Sequence, residues 1–590
     1  MPVLESSTTS ERGLGFWETL SIGVGSTIGG SIFVILGDAV GMAGPAVVLA
    51  FGLGAAITLL IALNYSELAT SLPISGGGYV FTREAVGGLM AFVTGWFLWL
   101  GNVLYAALNA VGFALILARY LAVEPVLVAE GVLALFCLLN IKGVREVGRA
   151  QLMLTILLVS GLLGLGLAAA PSFRLSNLRP LAPRGLEGIL SATGFTFVAY
   201  WGFESIATVG GEVREPEKAI PRACILSVLA SGAIYMLVSF LAVGAIGWRA
   251  LAEAEISLLS VGRAALGPVG EAMVFGLGAV AMLTSLNTAL LSAARIAHAL
   301  ARDGLFPEVL VGLHPRFKTP YKAVVLSAGV AAAFALSGIA HFLAGAASFG
   351  FLIGLLMVNL SVILLRRRRR YLAREFKVPF YPLTPLLAAS ACLALTYFMD
   401  PIVLAIGSAV AVIGIIGFLF ELITVRAREA AIGGFSLASY LAILLILYLL
   451  QNYLGFGPNS GPSRAVANTL MALCVLQAVG SFLTAIPLGE LYITIARKIG
   501  GIEEPSTPMP ARVAKLISGL EATMGLLQAL SVPVAVATIY QIYRGKIFFP
   551  SPPGPQVLPI FVLTCLALAF FALANAMCAT ILLRRRYALG

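Results

Sequence analysis

Residues 25–33 read "GSTIGGSIF" and lie inside an otherwise apolar run from Phe16 to Val40. Glycine costs about 1 kcal/mol relative to alanine inside a helix. Gly23, Gly25, Gly29 and Gly30, with Ser26, Thr27 and Ser31 among them, therefore mark either a close-packing face or a place where a membrane helix comes apart. Five apolar runs further on, "FVAYWGFESIATVGG" (197–211) interrupts the sixth run in the same way. With an odd number of spans per unit, the second unit enters the membrane from the opposite side. Paired broken helices in matching positions of two inverted halves point to a central binding site, and the pairing favours breaks over packing faces.

The surrounding chain fits that reading. Its 590 residues are 59% hydrophobic and 11% charged, with a mean hydropathy of +0.99. About sixteen apolar runs reach the ~20 residues that a helical span requires. No period-2 segments and no domain-sized polar blocks interrupt them. Only helices or closed barrels satisfy their backbone groups in lipid, so the fold class is an all-α polytopic membrane protein. The start, "MPVLESSTTSERGLGFWETL", lacks the basic, apolar and small-residue pattern of a removed signal peptide.

The net charge of +11 does not indicate a nucleic-acid partner. "RRRRR" (366–370) abuts an apolar run, as at a cytoplasmic helix end, and Lys and Arg fall mostly on one side when loops alternate from a cytoplasmic N-terminus. The expected location is the cell membrane, with both termini cytoplasmic. The six cysteines occur singly, without metal-ligand spacing, and no cofactor motif is present. HExxH, a spanning GxSxG and a nucleotide-binding loop are also missing, which argues against an enzyme or an ATP-driven pump.

A broken helix frees N–H groups at the start of its second half and carbonyls at the end of its first, each reinforced by the helix dipole. Such ends suit a zwitterion. A carboxylate belongs at the N–H groups of Gly29, Gly30 and Ser31, and an ammonium at unwound carbonyls such as those of Val198 and Trp201.

"TIGGSIF" (27–33), "NYSELATSLPISGGGYVFTREAVGG" (64–88), "WLGN" (99–102), "AYWGFESIATVGGEVREPEKAIPRA" (199–223) and "SAARIAHALARDGLFP" (292–307) together resemble the signatures of the amino acid, polyamine and organocation (APC) family of secondary transporters. The resemblance covers about residues 1–425. It implies a LeuT-like five-plus-five inverted-repeat core with broken helices one and six, and alternating-access carriage of amino acids or related amines by symport or exchange. The domains then read as a tail (1–15), a first repeat (16–170), a second repeat (187–365), two further family helices (382–425) and a four-helix extension (434–590).

By the same resemblance, Gly29, Gly30 and Ser31 match a carboxylate-binding loop, with Ser31 in place of its last glycine. Thr27 matches a carbonyl facing the substrate amine. Val198 matches a gate that is usually aromatic, a role open to Phe197, Tyr200 or Trp201. Asn102 matches a cavity-facing asparagine; a helix–helix hydrogen bond is its other reading. Glu204 is ionisable at membrane depth, so it either carries a proton or stays protonated in a structural bond. Glu67 falls near a helix end, where exposure is cheap.

For coupling, Leu158 stands where some family members carry a lysine. Thr284 and Ser285, beside carbonyls near Gly23 and Ser26, offer oxygen ligands for sodium, unless the hydroxyls bond back to their own helix. The implied partners are a small amino acid or amine, H+ or Na+, and the lipid bilayer. Two rivals suit the same sequence: an inorganic ion carrier in the manner of cation-chloride cotransporters, and a nontransporting sensor or scaffold.

Overall fold

The computed structural model describes residues 14–403 except 73–75, 122, 144–146, 209–212, 255, 370 and 401–402, together with 404 and 407. The chain divides into two units, Met1–Val403 and Leu404–Gly590. The helices named here belong to the first. Most of the expected tail, the span expected over 401–425 and the extension over 434–590 lie outside the described residues.

All regular elements among the described residues are helical, apart from an isolated parallel bridge between Leu14 and Val213. The first apolar run forms two helices, α1 (Phe16–Thr27) and α2 (Ser31–Ala43). They part at Ile28, whose φ of −76° and ψ of 62° cannot continue a helix. Then follow α3 (Val47–Ser71), the short α4 (Gly77–Ala85), α5 (Gly88–Ala118), α6 (Pro125–Lys142) and α7 (Val147–Ala169).

The sixth run also splits. α8 (Gly185–Thr196) passes into a 3-10 turn over Phe197–Tyr200, then into extended backbone at Trp201 (φ −73°, ψ 101°), before α9 (Glu204–Thr208) begins. Beyond it lie α10 (Pro216–Ile246), α11 (Trp248–Glu253), α12 (Ser257–Arg302), α13 (Tyr321–Ala335), α14 (Ala340–Arg368) and α15 (Leu383–Tyr397). α12 turns sharply at Gly267, just before Pro268.

Seven helical runs among the described residues are long and apolar enough to cross a membrane, so this is a multi-pass membrane protein. The two broken spans fall below that length piece by piece, and α13 and α15 are only 15 residues each. The sequence predicts longer runs there, over 322–342 and 382–399. α6 and α7 turn apolar side chains such as Leu127, Leu138, Met153 and Leu167 outward, as helices facing lipid do.

α14 ties the breaks to the rest of the bundle. Ser348 accepts a hydrogen bond from the Val198 N–H (2.9 Å) and donates to the Phe195 carbonyl (2.8 Å), pinning the unwound part of the sixth span. Asn359 accepts from Asn64 on α3 (2.7 Å). At the far end, Arg366 grips both oxygens of Glu67, at 2.7 and 2.5 Å, and the Val378 N–H bonds to the same carboxylate at 2.7 Å. This corrects the expectation that Glu67 lies in cheap exposure: it is only 2% exposed and fully paired. The arginine run is likewise partly structural, with Arg369 paired to Glu84 at 2.6 Å. Beside it, Arg83 joins Asp303 at the end of α12, and the Tyr79 hydroxyl donates to the same aspartate (2.6 Å).

Candidate functional site

The sequence places an anion site at Gly29–Ser31, and the backbone there is only partly used. The Ile28 N–H still bonds to Val24, and the Gly29 N–H turns back to the Thr27 carbonyl, each at 2.7 Å. The N–H groups of Gly30 and Ser31 make no hydrogen bond to any described residue. They stand at the N-terminus of α2, where the helix dipole favours negative charge.

Four buried polar atoms gather at the same place with no hydrogen bond of good geometry to a described residue: Ser31 Oγ, Tyr105 OH, Asn109 Oδ1 and Ser285 Oγ, the tyrosine hydroxyl lying near the other three. Their convergence is measured by the space the two glycines leave. A methyl group on Gly29 would lie 2.6 Å from Tyr105 OH and 3.1 Å from Ser285 Cβ, and one on Gly30 would lie 2.6 Å from Asn109 Oδ1. An unpaired buried polar atom costs about 1–3 kcal/mol, and native cores rarely collect them. Four gather around this one helix terminus. Tyr105 and Asn109 escape the sequence reading, although they lie on α5 three and seven residues beyond Asn102, the spacing of one helix face.

The second break meets the first. Gly202 lies so close to the end of α1 that a methyl group on it would fall 2.5 Å from Thr27 Cα. Above this contact, the Tyr235 hydroxyl on α10 lies 2.5 Å from the Thr27 carbonyl and 3.0 Å from the Ala199 carbonyl. A phenolic hydroxyl has one proton, so it can satisfy only one of these acceptors at a time. The carbonyls of Thr27 and Ala199, one from each break, thus share a single donor. The Val198 carbonyl accepts the Trp201 N–H within the turn (3.2 Å).

The remaining candidates separate into roles. Asn102 makes the helix–helix contact: its carbonyl accepts from the Trp201 indole (3.1 Å), and its amide donates to Leu98 (2.8 Å). Val198 and Phe197 are fully buried. The Tyr200 hydroxyl donates to the Phe51 carbonyl on α3 (2.7 Å), and its ring packs edge-on against Tyr235 at 5.4 Å. Glu204 accepts from Tyr65 on α3 (3.2 Å) and faces Gly77 at the start of α4.

Of the residues considered for sodium, the Thr284 and Ser285 hydroxyls meet different neighbours. The Gly23 carbonyl accepts the Thr27 hydroxyl (2.7 Å), while its α-carbon faces Ile206 and Ser227. Thr284 donates to its own helix at Val280 and Ala281, each at 3.0 Å. Ser285 instead faces Gly29, within the polar cluster, and Ser26 packs under Gly202.

Known proteins share much of this sequence. A family model described as amino acid permease matches residues 14–479. The chain is 31% identical over 407 residues to the branched-chain amino acid permease BcaP of Bacillus subtilis, covering 65% of this chain and 87% of that protein. It is 29% identical over 421 residues to the methylthioribose transporter of the same organism, covering 66% and 89%. It is 30% identical over 396 residues to cationic amino acid transporter 4 of Mus musculus, covering 62% of each. With two helix breaks in contact and a polar cluster at one of them, the chain belongs to the amino acid permease family, within the amino acid, polyamine and organocation group of membrane transporters.

Proposed function

We propose that the protein is a secondary active transporter for neutral amino acids with small or branched apolar side chains, working by alternating access as an ion symporter or an exchanger. The observation that carries this is the cluster of four buried polar atoms around Gly29 and Gly30, adjoining two free N–H groups. In this reading the carboxylate binds to the Gly30 and Ser31 N–H groups with hydroxyls of Ser31, Tyr105 and Ser285. The ammonium binds to the carbonyls of Thr27 and Ala199, which compete for the Tyr235 hydroxyl. Residues 16–170 and 187–365 serve as two inverted repeats, and the arginine-rich end faces the cytoplasm with both termini.

A neutral side chain is favoured because Glu204, the carboxylate beside the second break, turns to Tyr65 and Gly77. The nearby side chains Val198, Trp201, Met282 and Phe351 are apolar. Glu204 is the group best placed to carry a coupling proton, being the buried carboxylate of the broken sixth span. The branched-chain permeases among the relatives support this substrate class.

Counterflow in proteoliposomes across a twenty-amino-acid panel tests the reading. Valine, leucine or alanine is expected to exchange. Chloride-dependent cation flux with no amino acid exchange would make it an inorganic ion carrier, and the lack of any flux would leave a sensor or scaffold.

A further inference from the structure

Trp201 is the last bulky residue of the unwound sixth span before Gly202 meets Thr27, so its indole leaves the backbone at the junction of the two breaks. It is held on two sides. The indole N–H donates to Asn102, and the ring stacks on Phe351 of α14 with centroids 3.8 Å apart and planes 11° from parallel.

Each support is itself fixed. The Asn102 amide donates to Leu98 within α5. Phe351 lies flat against α5 because residue 101 is glycine: a methyl group there would stand 2.6 Å from its ring. Phe351 also meets Tyr105 edge-on at 6.4 Å, and Tyr105 reaches the polar cluster at Gly29. The stack therefore begins one aromatic ring away from the proposed carboxylate position, and helices from three parts of the chain hold it there. All four side chains are at least 96% buried.

We propose that the Trp201–Phe351 stack is the wall that limits the size of the transported side chain, with Asn102 as the positioning residue that keeps the indole in place. The wall admits alanine, valine and leucine and rejects phenylalanine and tryptophan. A rigid aromatic pair discriminates by volume more sharply than a single flexible side chain, because neither ring can turn without losing its partner. This proposal rests on the amino acid transport reading above and adds the residue pair that sets its selectivity.

The test is counterflow of valine and phenylalanine by the full chain in proteoliposomes, for wild type, Phe351→Ala and Asn102→Leu. Wild type is expected to prefer valine. Phe351→Ala should raise phenylalanine transport relative to valine by about tenfold, mainly through a lower KM for phenylalanine. Asn102→Leu should shift the ratio in the same direction by a smaller factor, since it frees the indole without opening space. Should Phe351→Ala not fold, Phe351→Leu provides a milder opening with the same expected direction. Valine transport with an unchanged ratio in the variants overturns the wall and leaves the transport reading standing. Wild type that carries no amino acid overturns both.

Discussion

Gly202 and Thr27 are in backbone contact: a methyl group on Gly202 would stand 2.5 Å from the Thr27 α-carbon and closer still to its nitrogen. The obstructing atoms are main chain, so no rotamer change relieves the overlap. Gly202→Ala must push the two unwound segments apart, and overpacking of this kind costs about 1–3 kcal/mol. The expected outcome is a lower melting temperature in detergent together with loss of counterflow. A variant that melts and transports like wild type would show that the breaks need not touch.

At the polar cluster, the obstruction comes from side chains and is reversible by design. Gly29→Ala places a methyl group against Ser285 and 2.6 Å from Tyr105 OH, so it should abolish solute-induced thermal stabilisation. Adding Ser285→Ala removes the hydroxyl in the way and should restore part of the binding. The double variant is then expected to bind better than Gly29→Ala alone, the signature of two residues that share one space. Additive losses would place Ser285 outside the site.

The breaks are legible in the sequence because glycine weakens a helix and hydroxyls gain nothing from lipid, so clusters of both in two matched apolar runs point to a common purpose. The partners of the breaks are not legible. Tyr235 lies in "GAIYMLVSF" and Phe351 in "SFGFLIGLL", where an aromatic residue reads as ordinary lipid-facing or packing material. Only the tertiary arrangement shows that one donates to the Thr27 carbonyl and the other stacks on Trp201. Ser285 stands out by its type and helix, but the pattern gives no facing, and the structure turns it toward Gly29 while Thr284 bonds back to its own helix. Glu67 misleads for a related reason: proximity to a helix end says nothing of the arginine folded over it from 299 residues away.

Tyr235 offers a test of the ammonium position. Its hydroxyl lies within hydrogen-bond reach of two carbonyls, and Tyr235→Phe removes the donor they share, leaving Thr27 with the Gly29 N–H alone. Leaving a buried acceptor unpaired costs about 1–3 kcal/mol, so the unliganded variant should melt several degrees lower. A bound ammonium brings donors to the same carbonyls. The stabilisation produced by a saturating amino acid is therefore expected to be larger in Tyr235→Phe than in wild type, measured as the shift in melting temperature. A smaller shift would mean that the ammonium binds elsewhere and the tyrosine contacts the solute directly.

The pair of Glu67 and Arg366 carries a different kind of prediction, because the carboxylate is buried and the guanidinium over it only 19% exposed at the end of α14. Glu67 is 2% exposed and accepts from Arg366 in two places and from the Val378 N–H. Arg366 also lies 4.1 Å from the centroid of the Tyr381 ring. Removing one partner strips Glu67 or Arg366 of its main counter-charge, with Arg374 at 3.5 Å still facing the carboxylate, so the cost is at most about 3–5 kcal/mol. Glu67→Gln and Arg366→Gln should each cut the yield of folded protein sharply. The double variant removes both charges and should recover much of the loss, since a neutral amide pair can still hydrogen bond. If the contact between α3 and α14 also has to open during transport, the double variant will fold well yet exchange solute with altered rates. Equal defects in all three variants would mean that the network acts through the Val378 loop rather than through the ion pair.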